Sequence, residues 1–287
     1  VANGGLVALA GMLAEHFGAI EGASIDANKG AYSSAWMIIF AVIAAVMVLL
    51  GLYHIKMLPS TQVPATGKKT TSEIMQDLVN VIGNFFTKKH IVYYIFFIIL
   101  YRLAEGFIMK VAPLFLRASR EVGGLGLSLT EIGTLNGVFG SAAFVIGSLL
   151  GGIFVDRYGL KKTLFMLCCV FNLPFLAYTF LAVVQPTSLY LIGTCITMEY
   201  FGYGFGFVGL TLFMMQQIAP GKHQMSHYAF ASGIMNLGVM LPGMISGYFS
   251  DLLGYRSFFI YVLIATIPAF LMTYFIPFTY DDSKKKK

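Results

Sequence analysis

Apolar runs too long for a soluble core set the fold class of this chain. They extend for roughly 18 to 30 residues, the length an α-helix needs to cross a hydrocarbon core of about 30 Å. Eight such segments stand out, at about 1–17 (incomplete), 35–57, 90–117, 131–155, 163–184, 188–218, 227–250 and 257–278. Inside lipid, backbone polar groups must be satisfied internally, so these runs are expected as helices. Composition agrees. Hydrophobic residues make up 57% and charged residues 11%, whereas a soluble domain carries about a quarter charged residues. A polytopic, all-α membrane protein follows.

The net charge of +6 does not outline a nucleic-acid surface, because the lysines lie between the apolar runs and on the C-terminal tail. Cys168, Cys169 and Cys195 fall inside apolar segments. An odd number of buried thiols gives no disulfide framework, and packing is their expected role. The chain opens at Val1 within an apolar segment, with neither Met nor a charged leader, which predicts a truncated sequence rather than a signal peptide.

One connection is long. Residues 58–89 begin with Pro59-Ser60-Thr61-Gln62-Val63-Pro64 and Lys68-Lys69, a solvated linker by composition. Thr70 and Glu73 then spell a capping box. Ile74, Leu78, Val81, Ile82 and Phe85 follow at helical spacing against Asp77, Asn80 and Asn84, which predicts an amphipathic helix on the membrane surface. A partner-binding helix is the alternative. Placing this connection in the cytoplasm puts thirteen basic residues inside: Lys56, Lys68, Lys69, Lys88, Lys89, Arg157, Lys161, Lys162, Lys222 and the four from Lys284 to Lys287. Lys29, Arg117, Arg120 and Arg256, only four, lie outside. The bias predicts a cytoplasmic C-terminus.

A pattern recurs three times at segment ends: Gly11-x-x-x-Glu15-x-x-Gly18, Gly152-x-x-x-Asp156-x-x-Gly159 and Gly247-x-x-x-Asp251-x-x-Gly254. The small residues permit close helix contact and the last glycine suits a helix C-terminus. Three copies suggest duplicated units. The middle copy is the fullest, running on through Arg157 to Lys161-Lys162. It resembles the signature loop of the major facilitator superfamily, which follows the second and eighth helices of a twelve-helix fold. The resemblance implies a partial fold of about eight transmembrane helices, five to twelve. Residues 1–57 would end the N-terminal half, 58–89 form the central cytoplasmic linker, 90–279 the six-helix C-terminal half, and 280–287 a basic tail. It also implies a conformational latch at Gly152, Asp156, Arg157, Gly159, Lys161 and Lys162, with Asp251 in the related copy.

Longer stretches narrow the likeness. Tyr101-Arg102-Leu103-Ala104-Glu105-Gly106-Phe107, Glu199-Tyr200 with Gly202-Tyr203-Gly204-Phe205-Gly206, and Gly254-Tyr255-Arg256 resemble the AmpG-like muropeptide permeases. That resemblance implies a proton-driven symporter importing anhydro-muropeptides across the bacterial inner membrane for cell-wall recycling. A carrier of another sugar, peptide or drug, or a non-transporting sensor on the same fold, are the alternatives.

Ionisable groups in mid-membrane cost roughly 2.5–3.5 kcal/mol each on insertion scales and mark function by default. Arg102, Glu105, Lys110 and Glu199 are the four here and are the expected proton-coupling set. Arg102 and Glu105, at i and i+3, can pair, either as a static bridge or as a proton-exchanging one. Glu199 has no cation within its own helix and is expected either to be protonated or to reach across to Lys110. Tyr101, Phe107 and Tyr203 are candidate platforms for the solute, against plain packing. Gly204-Phe-Gly-Phe-Val-Gly209 spells G-x-G-x-x-G, but it lies inside an apolar helix and reads as packing. No H-E-x-x-H, C-x-x-C or G-x-S-x-G occurs. No enzyme activity, cofactor or metal is expected. The expected partners are a small solute, protons and the bilayer, without nucleic acid, and the protein is expected as a monomer.

Overall fold

The computed structural model describes residues 2–20, 27–57 and 70–280. Linker residues 58–69, with Lys68 and Lys69, and the terminal lysines 284–287 lie outside the described residues. In chain order the helices are α1 (Ala2–His16), α2 (Lys29–Met57), α3 (Thr71–Phe86), α4 (Ile91–Tyr101), α5 (Leu103–Arg117), α6 (Leu129–Thr134) and α7 (Ser141–Tyr158). They continue with α8 (Leu160–Asn172), α9 (Phe175–Val184), α10 (Leu189–Phe213), α11 (Gln224–Ala265) and α12 (Ile267–Tyr274). No strand occurs among the described residues, so the all-α class holds.

Among the described residues, five stretches are long and apolar enough to cross a membrane: Lys29–Met57, Ile91–Arg117, Leu129–Tyr158, Leu160–Val184 and Gln224–Tyr274. The last merges two predicted segments, because Gly254 breaks α11 with φ 70° and ψ 158°. The predicted segment 163–184 is likewise bent, since Pro174 separates α8 from α9 by removing a helical donor. The predicted run 188–218 is the 25-residue α10 followed by a π-helical turn, Met214–Ile218. Five glycines and Glu199 hold its hydropathy below that of the other spans.

The chain divides into two compact units, Val1–Asp77 with Leu129–Val138, and Leu78–Ser128 with Phe139–Lys287. In the first, α1 packs on α2 and α6. Gly11 faces Thr130, whose hydroxyl donates to the Glu15 carboxylate at 3.2 Å. The first copy of the repeated pattern thus makes one helix contact from its small residue and its acid. At the start of α3 the Thr70 N–H donates to Glu73 at 2.8 Å, the Glu half of the predicted box.

In the second unit α11 lies along α4 and α5, and α10 lies along α7 and α8. Glycines set how closely α10 approaches. A methyl group at Gly204 would strike the Phe144 carbonyl of α7, and one at Gly147 or Gly151 would strike the Phe201 or Phe205 carbonyl of α10. Gly202 and Gly206 face the other way, onto the Val170 and Leu167 carbonyls of α8. Gly204 and Gly206, the first two glycines of the G-x-G-x-x-G string, therefore serve helix packing on two faces.

The first glycine of the repeated pattern behaves differently from expectation in the later copies. Nothing lies within 4 Å of a Cβ built at Gly152 or Gly247, because both face away from neighbouring helices. Neither makes a close contact among the described residues. Gly204→Ala is expected to destabilise the protein by about 1–3 kcal/mol, because backbone on α7 cannot yield to the new methyl. Gly152→Ala, in open helix, is expected to leave stability unchanged or raise it by about 0.5–1 kcal/mol. Thermal unfolding midpoints in detergent check both, and equal midpoints for the two variants would overturn the packing assignment.

Candidate functional site

The site begins at an interruption. The span Ile91–Arg117 is not one continuous helix, as its spacing predicts, but breaks at Arg102, with φ −105° and ψ 5°. That backbone lies near the sparsely populated bridge region between helix and strand. The chemistry of the break explains why charge sits there. Arg102 caps the carbonyl end of α4, and Glu105 lies in the first turn of α5. A cation at a helix C-terminus and an anion at an N-terminus each complement the local dipole.

The two charges also find each other across the break. Arg102 Nε donates to Glu105 Oε2 at 2.6 Å and Nη2 to Oε1 at 2.5 Å, a bidentate pair with side chains only 6% and 5% exposed. Bidentate geometry is the strongest form of this contact. Helix α10 closes over the pair. The Arg102 guanidinium lies 5.2 Å from the Phe207 ring centroid, and the Tyr203 hydroxyl adjoins both Arg102 and Glu105. The predicted i, i+3 partnership is formed even though the helix carrying it is broken.

The remaining predicted residues divide. Glu199 is half-buried on α10, four residues before Tyr203, and has no hydrogen-bond or ion-pair partner among the described residues. Lys110 is exposed and likewise unpaired, so the expected Glu199–Lys110 bridge is not formed. Tyr101 is fully buried and donates its hydroxyl to the Gly206 carbonyl at 2.9 Å. Phe107 is 3% exposed and packs on Phe249, Phe258 and Tyr261. Neither offers a free ring face, because each fills a helix junction. Tyr203 is half-buried, its ring held by Phe144, Phe171 and Phe207. An apolar crevice of about 830 Å³ between α7, the α8–α9 bend and α10, bordered by Ile146, Val170, Pro174 and Phe201, touches none of these candidates.

At the signature loop, α7 ends at Tyr158 and α8 starts at Leu160, with only Gly159 between them at φ 83° and ψ 144°. Asp156, Arg157, Lys161 and Lys162 are exposed around this turn. Arg157 lies 5.6 Å from the Tyr158 ring centroid. Asp251 is exposed just before the matching break at Gly254.

Sequence reasoning missed a clasp at the end of the unit where α4 begins. Lys88 Nζ donates to the Ile218 carbonyl and, at 2.8 Å, to that of Pro220. Gln217 accepts from the Thr279 and Tyr280 N–H groups and donates to the Tyr280 carbonyl at 2.6 Å. His227 Nε2 meets the Val81 carbonyl at 3.1 Å while its ring packs on Phe85. Lys88 read simply as a positive-inside charge. Its capping of orphan carbonyls beyond α10 depends on contacts 130 residues away, which no local pattern announces.

Apolar helices of spanning length, a glycine-packed bundle and the signature loop at the α7–α8 turn mark a multi-pass membrane protein. The Major Facilitator Superfamily model matches residues 4–219 and 124–287, and the chain belongs to that family of transporters. It is 23% identical over 197 residues to the Anhydromuropeptide permease of Escherichia coli (strain K12), a match covering 69% of this chain and 39% of the relative. It is 24% identical over 220 residues to the "Putative transporter AmpG 1" of Rickettsia conorii, covering 76% of this chain and 50% of the relative. A "Putative transporter AmpG 4" of the same organism is 24% identical over 267 residues, covering 92% of this chain and 61% of the relative. The chain thus spans between two fifths and three fifths of these relatives.

The buried pair yields a stability prediction. Glu105→Gln leaves a buried guanidinium without its anion and is expected to cost about 3–5 kcal/mol. The double variant with Arg102→Met removes both charges and is expected to recover most of that loss. Unfolding midpoints of the single and double variants check this, and a double variant no more stable than the single would overturn the pairing as the stabilising contact.

Proposed function

We propose that the protein is a proton-coupled symporter that imports an anhydro-muropeptide-type solute for peptidoglycan recycling. The observation that carries the coupling is the buried Arg102–Glu105 pair at the α4–α5 break. Protonating Glu105 would remove the ion pair and the charge complementing the first turn of α5 in one step. The break is then free to change its angle. Coupling a proton to helix geometry is what an alternating carrier requires, and Glu199, unpaired on the facing α10, is the second group able to hold that proton. Tyr203 adjoins the pair and supports it from α10.

The solute class rests on the anhydromuropeptide permease and AmpG relatives. In this reading the membrane is the bacterial inner membrane, with the C-terminus cytoplasmic as the thirteen-to-four basic bias suggests. Residues 1–57 close the N-terminal half, 58–89 form the central linker and 90–279 the C-terminal half. The α7–α8 turn is the latch. Its exposed Asp156 offers an interaction worth about 0.3–1 kcal/mol at a helix end, weak enough to break in every cycle.

Two measurements in liposomes test the reading. Wild type is expected to accumulate anhydro-muropeptide under an inward proton gradient. Glu105→Gln is expected to lose accumulation while retaining counterflow exchange, which needs no net proton movement. A Glu105→Gln/Arg102→Met double variant that still concentrates solute would sink the coupling role. Asp156→Asn is expected to slow transport strongly without altering the unfolding midpoint. Transport by this variant equal to that of wild type would remove the latch assignment.

A further inference from the structure

The geometry points to Lys110 as the group that reads a carboxylate on the solute, with the small and polar strip of α11 beside it as the solute-lining surface. The inference rests on the transport reading above and adds the charge of the ligand and the residue that recognises it.

A lysine in a membrane span is costly unless paired or held toward water. Lys110 has no acid partner among the described residues. The acids on its own helix and on α11 are placed elsewhere. Glu105, five residues back, is held by Arg102 at 2.5 and 2.6 Å. Asp251 lies two turns beyond Gly243 on α11, at the exposed end before the Gly254 break. The stem of Lys110 is nevertheless placed. A Cβ built at Gly243 would lie 3.3 Å from Lys110 Cγ and 3.6 Å from Cε, so the glycine leaves the trough in which the chain rests. A lysine whose stem is seated and whose ammonium is unsatisfied is a binding group awaiting an anion.

The surroundings distinguish a solute from a lipid headgroup. Helix α11 exposes two different faces. Leu237, Leu241, Ile245, Tyr248 and Leu252 form one, large and apolar, as acyl chains require. The other carries Ser232, Asn236, Gly243 and Gly247, within about 40° of one direction at 100° per residue, with the exposed Met240 at its edge. Asn236 and Gly247 on it are exposed, and nothing lies within 4 Å of a Cβ built at Gly247. Lys110 adjoins this second face. Small and amide side chains are poor partners for acyl chains and leave room for a polar ligand. The expected proton-coupling role of Lys110 has no acid to act on, whereas a carboxylate-bearing solute supplies one.

The test uses the intact protein in liposomes with two solutes, an anhydro-muropeptide with free carboxylates and the same molecule with its carboxylates amidated. Wild type is expected to show the lower KM for the free acid. Lys110→Gln is expected to raise that KM about tenfold or more, the loss of one charge-assisted contact, and to leave the amidated solute within about twofold. Lys110→Met removes the same charge should the Gln variant fail to fold, and Lys110→Arg is expected to retain most of the preference. Equal changes for both solutes, or none, overturn the assignment. So does a KM that follows phosphatidylglycerol content instead of solute charge, which would make lipid phosphate the ligand. A wild type that moves neither solute rejects the transport reading itself, whereas one whose preference survives charge removal rejects Lys110 alone.

Discussion

Helices in lipid gain little from burying apolar surface against one another, because the surrounding chains are equally apolar. Their association depends on how closely the backbones can approach. Helix α10 shows the consequence. Gly204 meets the α7 backbone while Gly202 and Gly206 meet that of α8, so one helix is clamped on two sides. Clamping fixes Tyr203 and Phe207 in position, and with them the lid over Arg102 and Glu105. The Tyr101 hydroxyl, bonded to the Gly206 carbonyl, ties the end of α4 to the same glycine-rich stretch. A bulkier α10 would stand away from its neighbours and open the charge pair to lipid.

The charge pair in turn makes sense of the break it occupies. Interrupting a span leaves carbonyls of α4 and N–H groups of α5 without intrahelical partners, which is expensive in hydrocarbon. The anion in the first turn of α5 complements that helix's dipole, and Arg102, the residue shared by both helix ends, balances the anion. Bidentate bonding between the two charges offsets part of the cost of burying them. Break and pair each make the other tolerable. Loss of either charge would therefore be felt by the backbone at the break.

The helical class, the spans and the Arg102–Glu105 partnership were legible because each depends on local spacing: run length, and residues one turn apart. The interruption at Arg102 was not, since no Pro or Gly stands there and the turn is stabilised by the charges themselves. The fates of Tyr101 and Phe107 were equally hidden. An aromatic beside a charged residue looks the same in sequence whether its ring faces solute or a neighbouring helix, and Phe249, Phe258 and Tyr261 lie far along the chain. Lys110 carried a signal, a charge within an apolar run, but its lack of an acid partner among the described residues emerges only once the helices are packed. The Lys88, Gln217 and His227 clasp consists of side chains bonded to distant backbone, for which sequence offers no spacing rule.

The three copies of the glycine-acid pattern separate what a repeat preserves from what it leaves free. Gly18, Gly159 and Gly254 all have positive φ, at 87°, 83° and 70°. With ψ 144° and 158°, the latter two occupy backbone territory that residues with a Cβ avoid. Space around them is open, so conformation and not crowding demands glycine there. The first glycine and the acid differ from copy to copy: Gly11 and Glu15 meet Thr130 of α6, whereas Gly152 and Gly247 face no neighbour and Asp156 and Asp251 stay exposed. What the three copies share is therefore a way of turning the chain at a helix end. Contact varies, with one copy holding a helix pair together and the other two keeping their acids at the exposed surface.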